Sequence, residues 1–195
     1  MHALIVIAHP DKGSLTHTIA GELIQGIHHA NTNHTVEIAD LVAEGFDPRF
    51  SAADLALFRR QGATPDDVLA EQQRIDRANA LVLVYPVYWW SFPAILKGWL
   101  DRVLTNGWAY DETPDGKLVK KLQHLQVHLV GVGAANSDTY ARHGYVSAMH
   151  TQIDHGIFNY VGAQVITSEL LLTPDAGFPE VHLNTARNIG NTLFR

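Results

Sequence analysis

The stretch Ala3-Leu4-Ile5-Val6-Ile7-Ala8-His9-Pro10-Asp11 decides the fold. Apolar residues run from Ala3 to Ala8 without polar alternation and stop at a histidine and a proline. A half-buried strand would alternate polar and apolar residues, so this run reads as a short strand buried on both faces. Ser14 then opens a helical pattern, with Leu15, Ile19, Leu23 and Ile27 recurring on one face. A doubly buried strand feeding an amphipathic helix is the first half of a parallel α/β unit.

The unit recurs. Thr35 to Ile38, Ala80 to Tyr85, Leu125 to Val132 and Gln164 to Leu172 read as further strands. Ala52 to Arg60, Asp66 to Ala78, Phe92 to Leu104, Gly144 to Tyr160 and Pro179 to Phe194 read as helices. Thr64 before Pro65 reads as an N-cap followed by proline at the first helical position. The alternation predicts one domain over residues 1–195: an α/β, open, doubly wound sheet of five parallel strands with helices on both faces. No internal repeat, linker or low-complexity segment interrupts it.

Composition narrows the function. Hydrophobic residues make up 46% of the 195 and charged residues 17%, enough to bury a core, so disorder is excluded. Lys plus Arg number 14 against 20 Asp plus Glu, a formal charge of −6, which argues against nucleic acid as a partner. The absence of cysteine excludes disulfides, thiolate catalysis and zinc-thiolate sites. It fits a reducing cytoplasm. The first residues lack a basic region and read as a strand, not a signal peptide. The apolar stretch from Ala80 to Leu96 is broken by Pro86, Ser91 and Pro93 and is short for a membrane span. The expectation is a soluble, cytoplasmic protein.

Open parallel sheets bind ligands beyond the carboxyl ends of their strands, where the strand order reverses. The loop from His9 to Thr16 delivers Ser14 and Thr16 to a helix N-terminus, whose free amides and dipole favour a phosphate. Ser14 as a plain cap explains the serine equally well. Neither the Walker pattern nor G-x-G-x-x-G is present. The loop Tyr85-Pro86-Val87-Tyr88-Trp89-Trp90-Ser91-Phe92-Pro93 is dense in aromatic residues, and Trp99 and Trp108 follow. A flat aromatic ligand would use that surface, and so would a subunit interface; the two readings are compatible. The third loop, Gly131-Val132-Gly133-Ala134-Ala135-Asn136-Ser137, lets a bulky ligand approach the backbone. Tyr140 and His143 follow it, and both can donate a hydrogen bond, although either could be an ordinary residue. No histidine set has metal spacing, and no G-x-S-x-G elbow places a nucleophilic serine.

These residues resemble a known family. The runs Ala3-Leu4-Ile5-Val6-Ile7-Ala8-His9-Pro10, Tyr85 to Val103 and Gly107-Trp108-Ala109-Tyr110 are similar to the flavodoxin-like NAD(P)H:quinone oxidoreductases, which include bacterial potassium-efflux ancillary proteins. The resemblance spans nearly the whole chain and is most specific from Pro86 to Val103. It implies a flavin, FAD in preference to FMN, NAD(P)H as electron donor, and a homodimer with two interfacial sites. It assigns His9, Ser14, Leu15 and Thr16 to the flavin phosphate and ribityl chain. Pro86, Val87, Tyr88, Trp89 and Trp90 fall against the isoalloxazine, and Gly131, Val132 and Gly133 beside its pyrimidine end. Tyr140 and His143 match a catalytic pair near the flavin O2. Trp89, Trp90 and Tyr110, the last from a partner subunit, would wall the substrate pocket. Two departures stand out. Thr16 replaces an asparagine found in some members, and Gly131-Val132-Gly133-Ala134 replaces a Thr-Thr-Gly-Gly type loop.

The implied reaction is hydride transfer from NAD(P)H through flavin N5 to a quinone or similar aromatic acceptor, in ping-pong order. Donors aimed at the N1–O2 edge would stabilise the charge that reduction places there. The competing expectation is a flavin-binding ancillary subunit of a membrane transporter, separable by acceptor turnover.

Overall fold

The computed structural model describes residues 1–113 and 115–195. Its main sheet contains β1 (His2–Ile7), β2 (Thr35–Asp40), β3 (Ala80–Pro86), β6 (Gln126–Gly133) and β7 (Gln164–Leu172), in spatial order β2-β1-β3-β6-β7. Every pairing in it is parallel. The expected doubly wound, flavodoxin-like sheet is therefore present. Ile7 lies beside Val84 and Val84 beside Val130, so β1, β3 and β6 end at one edge.

Side chains alternate across the sheet with the period of a strand. Ala3, Ile5 and Ile7 of β1 and Ala80, Val82 and Val84 of β3 face α1 (Leu15–Ala30) and α7 (Glu180–Thr192). Leu4 and Val6, with Leu81 and Leu83, face α3 (Asp66–Arg77), α4 (Ala94–Val103) and a π-helical stretch, His150–Asn159. Both faces are buried, which is why β1 and β3 carry no polar alternation. The helices α1 and α7 meet at glycines. A Cβ on Gly26 would collide with the Arg187 carbonyl, and one on Gly190 with the Leu23 carbonyl. Only glycine permits that approach.

Several expected boundaries are corrected. Thr64 does not cap α3; Pro65 occupies the cap position and Asp66 and Asp67 fill the first turn, where their charge suits the helix dipole. The helix expected from Phe92 begins at Ala94, because Pro93 is its cap and the Phe92 ring packs edge-on against Tyr85 at 4.7 Å. The helix expected over Gly144 to Tyr160 starts after Gly144. That glycine, at φ 67°, ends α5 (Ser137–His143) and leads into α6 (Tyr145–Met149), which continues as the π-helical stretch. A hairpin of β4 (Tyr110–Glu112) and β5 (Leu118–Lys120) and the short helix α5 were not read from the sequence; α2 (Ala52–Phe58) was. Among the described residues no helix is long and apolar enough to cross a membrane.

One buried group in β6 makes the fold sensitive to acid. His128 is 2% exposed. Its Nδ1 meets Thr167 Oγ1 at 3.0 Å, while Nε2 has no hydrogen-bond partner among the described residues. Burial pushes the imidazole down to about 4; the nearby Leu193 carbonyl opposes this only in part. Below the ordinary imidazole range the unfolded chain holds a proton that the folded chain refuses. The stabilisation is complete above about pH 6.5 and is lost as the pH falls through 4, a loss of about 3 kcal/mol. Thermal midpoints of the protein and of His128→Asn at pH 7 and pH 5 test this. The decline should shrink in the variant, and an equal decline in both would remove His128 as its cause.

Candidate active site

The strand order reverses between β1 and β3, and three connections leave the sheet at that edge. The first runs from Ala8 to Ser14. His9 Nδ1 accepts the Asp11 amide at 3.0 Å, Asp11 Oδ1 accepts the Gly13 amide at 2.8 Å, and the Ser14 amide donates to the Asp11 carbonyl at 3.1 Å. The connection is thereby fixed before α1 starts. Ser14 caps α1, its Oγ accepting the His17 amide at 3.4 Å. The amides of Leu15 and Thr16 head the helix with no carbonyl one turn back to receive them. Thr16, in the first turn of α1, is 2% exposed.

Behind this loop lies a pairing that the sequence reading missed. Ser14 Oγ sits 3.0 Å from His17 Nδ1, and His17 Nε2 sits 3.1 Å from Asp40 Oδ2 at the end of β2. Burial pushes the Asp40 carboxyl up, but the hydrogen bonds from His17 and the Ala43 amide outweigh it and hold it below the usual carboxylate range. The only sequence clue was a histidine one turn into α1, and nothing local pointed to Asp40.

The second connection is a tight turn. The Val87 amide extends the sheet by donating to the Val132 carbonyl at 2.8 Å. Tyr88 and Ser91 then exchange backbone hydrogen bonds at 3.1 and 3.0 Å, leaving Trp89 and Trp90 at the tip with φ of 49° and 60°. Asn-Gly is the usual occupant of such a turn, and two tryptophans there are strained. The backbone strain places the two rings differently. Trp89 is 93% exposed. Trp90 stacks on Tyr145 at 3.7 Å and 14° and meets Tyr140 edge-on at 5.2 Å. Ser91 Oγ donates to Gln152 Oε1 at 2.7 Å and ties the turn to the π-helical stretch.

The third connection is shorter than expected. Gly131, Val132 and Gly133 belong to β6 itself, because their backbones pair with Leu170 to Leu172 of β7; the loop proper is Ala134 to Asn136. A Cβ on Gly133 would lie 2.7 Å from the Tyr140 hydroxyl, so glycine at this position is what admits the Tyr140 side chain. Tyr140 is buried, and burial raises its phenol, which keeps it a neutral donor. His143 is exposed and stacks on Tyr145 at 5.2 Å. The two predicted partners do not hydrogen-bond each other; Tyr145 stands between His143 and Trp90. Tyr145 is the second residue the sequence reading missed, and its only signal was its place after the helix-ending Gly144.

Tyr110 lies elsewhere. It pairs edge-on with Tyr160 at 5.3 Å and shares no aromatic contact with Trp90, Tyr140 or Tyr145 among the described residues. It borders a cavity of about 500 Å³, together with Phe50, Leu55, Phe58, Leu104 and Tyr160. That apolar groove is separate from the three connections. Chemistry is better placed at the strand ends, where unsatisfied amides and an aromatic cluster share one edge of the sheet.

Comparison with known proteins agrees with this fold. Residues 1–183 match a family described as having a flavodoxin-like fold. An uncharacterized NAD(P)H oxidoreductase of Haemophilus influenzae is 34% identical over 184 residues, covering 94% of this chain and 86% of that protein. NAD(P)H dehydrogenase (quinone) 1 of Rattus norvegicus is 28% identical over 198 residues, covering 89% and 71%. The solved structure of an NAD(P)H:quinone oxidoreductase from Methanothermobacter marburgensis superposes with a TM-score of 0.89 at 28% identity, covering 99% of this chain and 98% of that one.

Proposed function

The chain belongs to the NAD(P)H:quinone oxidoreductase family with the flavodoxin-like fold, and on that premise we propose that it is a flavin-dependent enzyme carrying two electrons from NAD(P)H to a quinone or similar aromatic acceptor. The observation that carries the reading is the head of α1, where the Leu15 and Thr16 amides have no carbonyl to receive them, at the same sheet edge as the Trp90–Tyr140–Tyr145 cluster. An anionic tail suits the first and a flat ring suits the second.

The residues present fit such a cofactor. His9, Ser14, Leu15 and Thr16 hold its phosphate and ribityl chain. Pro86, Val87, Tyr88, Trp89 and Trp90 hold the ring, and the small residues Gly131, Val132 and Gly133 let its pyrimidine end approach the backbone. When bound, the flavin supplies the two-electron redox step in ping-pong order at one site. Tyr140 and His143 act at its O2 edge, where fixed donors favour developing negative charge. Trp89 and Trp90 exclude water and present ring faces to donor and acceptor in turn. FAD is preferred and FMN is the alternative. The segment from Val42 to Asp67 leaves β2 at the same edge and is suited to cover an adenylate.

We also propose a homodimer. The groove beside Tyr110 exposes Phe50, Leu55, Phe58 and Tyr160, an apolar surface suited to a second copy. A dimer would bring Tyr110 of each chain to the other's acceptor pocket.

The test is a visible spectrum of the purified protein, followed by anaerobic NAD(P)H and then a quinone. A flavin band that bleaches and recovers within turnover time is the expected result, and mass analysis of the released cofactor separates FAD from FMN. A band that bleaches poorly would favour the ancillary-subunit reading. No flavin, even after incubation with FAD and FMN, would overturn the flavin assignment.

A further inference from the structure

The Ser14–His17–Asp40 series has a consequence for the phosphate end of the site, and it rests on the flavin reading above. Its atoms can be counted. Asp40 is a carboxylate and only accepts, so the His17 Nε2 at 3.1 Å must carry a hydrogen. Nδ1 then has two states. In the neutral ring it is an acceptor, and the Ser14 hydroxyl must spend its single hydrogen on it at 3.0 Å. The outward side of Ser14 Oγ is then a lone pair, which repels an anion. In the imidazolium, Nδ1–H donates to Ser14 Oγ. That oxygen already accepts the His17 amide, so both of its acceptor sites are used and its own hydrogen turns outward. A hydroxyl donor then stands beside the amides of Leu15 and Thr16 at the head of α1.

We infer that His17 is a positioning residue for the pyrophosphate of the cofactor, binding it as an imidazolium that takes one proton from solvent and turns the Ser14 hydroxyl into a donor. Histidine is the side chain that changes charge between pH 5 and 8. Affinity for an anionic cofactor should therefore fall as the pH rises through that range, and binding should take up a proton. The ionisable groups around His17 are known. His9 in the loop lies with its ring centre 6.3 Å away, Asp40 closes the series from β2, and Lys12 in the same loop acts on Asp40. Asp11 is occupied with the Gly13 amide.

Apoprotein is titrated with FAD, whose pyrophosphate diester does not itself titrate from pH 5.5 to 8.5, and with riboflavin, which lacks phosphate. Binding is followed by flavin fluorescence. The FAD Kd should rise about tenfold between pH 6 and pH 8, the riboflavin Kd should not, and calorimetry in two buffers should show proton uptake with FAD only. His17→Gln, neutral throughout, should abolish the slope while keeping a polar side chain between Ser14 and Asp40. Asp40→Asn should need more acid for the same affinity, because the carboxylate facing the imidazolium is gone. His9→Gln should weaken binding at every pH without moving the slope. FAD binding that is flat with pH, or whose slope survives His17→Gln, overturns the role of His17 and leaves the flavin reading standing. FAD that binds at no pH overturns both.

Discussion

Replacing Arg102 with alanine is expected to cost about 3–5 kcal/mol of folding stability, a large share of the roughly 5–15 kcal/mol typical of such a domain. Arg102 is 5% exposed on α4 and Asp54 is 3% exposed on α2. Its Nε donates to both Asp54 oxygens at 3.1 Å, its Nη atoms donate to Asp67 at 2.5 and 3.1 Å, and Nη1 also reaches the Asp47 carbonyl at 2.8 Å. The guanidinium further lies 5.3 Å from the centre of the Phe46 ring. Burial alone would push the Asp54 carboxyl up; Ser51 and Arg102 outweigh it and hold it below the usual range. Alanine removes the partner and leaves the Asp54 carboxylate buried with only Ser51 for company, and that orphaned charge is the main cost. Urea unfolding of Arg102→Ala measures it. Arg102→Met combined with Asp54→Leu should recover much of the loss, since no buried charge is then left unpaired and Asp67 is half exposed to water. A single-variant loss below 1 kcal/mol would mean that the cluster is wetter than its geometry indicates. The cluster fastens the segment after β2 onto the helix that follows the aromatic turn, so the variant should also loosen cofactor retention.

The contrast between what was legible and what was hidden follows from range. The inner strands β1, β3 and β6 were readable because double burial writes itself locally, as unbroken runs such as Ala3–Ala8 and Ala80–Tyr85, whereas the edge strands β2 and β7 are only partly buried and were read from short β-branched segments. The site loops were readable for the same reason, since parallel strands place them at one edge by topology alone. Short elements were hidden. Seven-residue α5 depends on its Asn136 cap, and Asn136 was in view but was read as part of a loop. The β4–β5 hairpin has three residues on each side, too few for a period, although Pro114-Asp115-Gly116 between them is turn chemistry. Partners distant in sequence were hidden altogether. Arg102 with Asp54, and His17 with Asp40, meet only once helices pack on the sheet, and no local pattern records which carboxylate a buried base will find. Tyr145 escaped for a related reason. Its role is to fill the space between Trp90 and His143, a fact about three rings in space.

His143→Ala is expected to slow cofactor reduction by NAD(P)H about 10²-fold, near 3 kcal/mol of transition-state stabilisation, while changing cofactor affinity little. The asymmetry follows from where the charge lies. A flavin bound as proposed would be neutral at its N1–O2 edge when oxidised, so a donor there would add little to binding, whereas reduction would build negative charge on that edge. His143 stands at the rim of the cluster, its ring held by stacking on Tyr145. It is exposed, so its replacement should not disturb the core. Tyr140 differs. Its raised phenol stays protonated and its ring packs under Trp90, so it offers a fixed neutral donor but no mobile charge. Stopped-flow measurement of the reductive half-reaction, beside a fluorescence measurement of cofactor binding, separates the two effects. A rate that falls with an unchanged Kd assigns the charge role to His143. An unchanged reductive rate removes His143 from the mechanism and leaves Tyr140 as the donor at that edge.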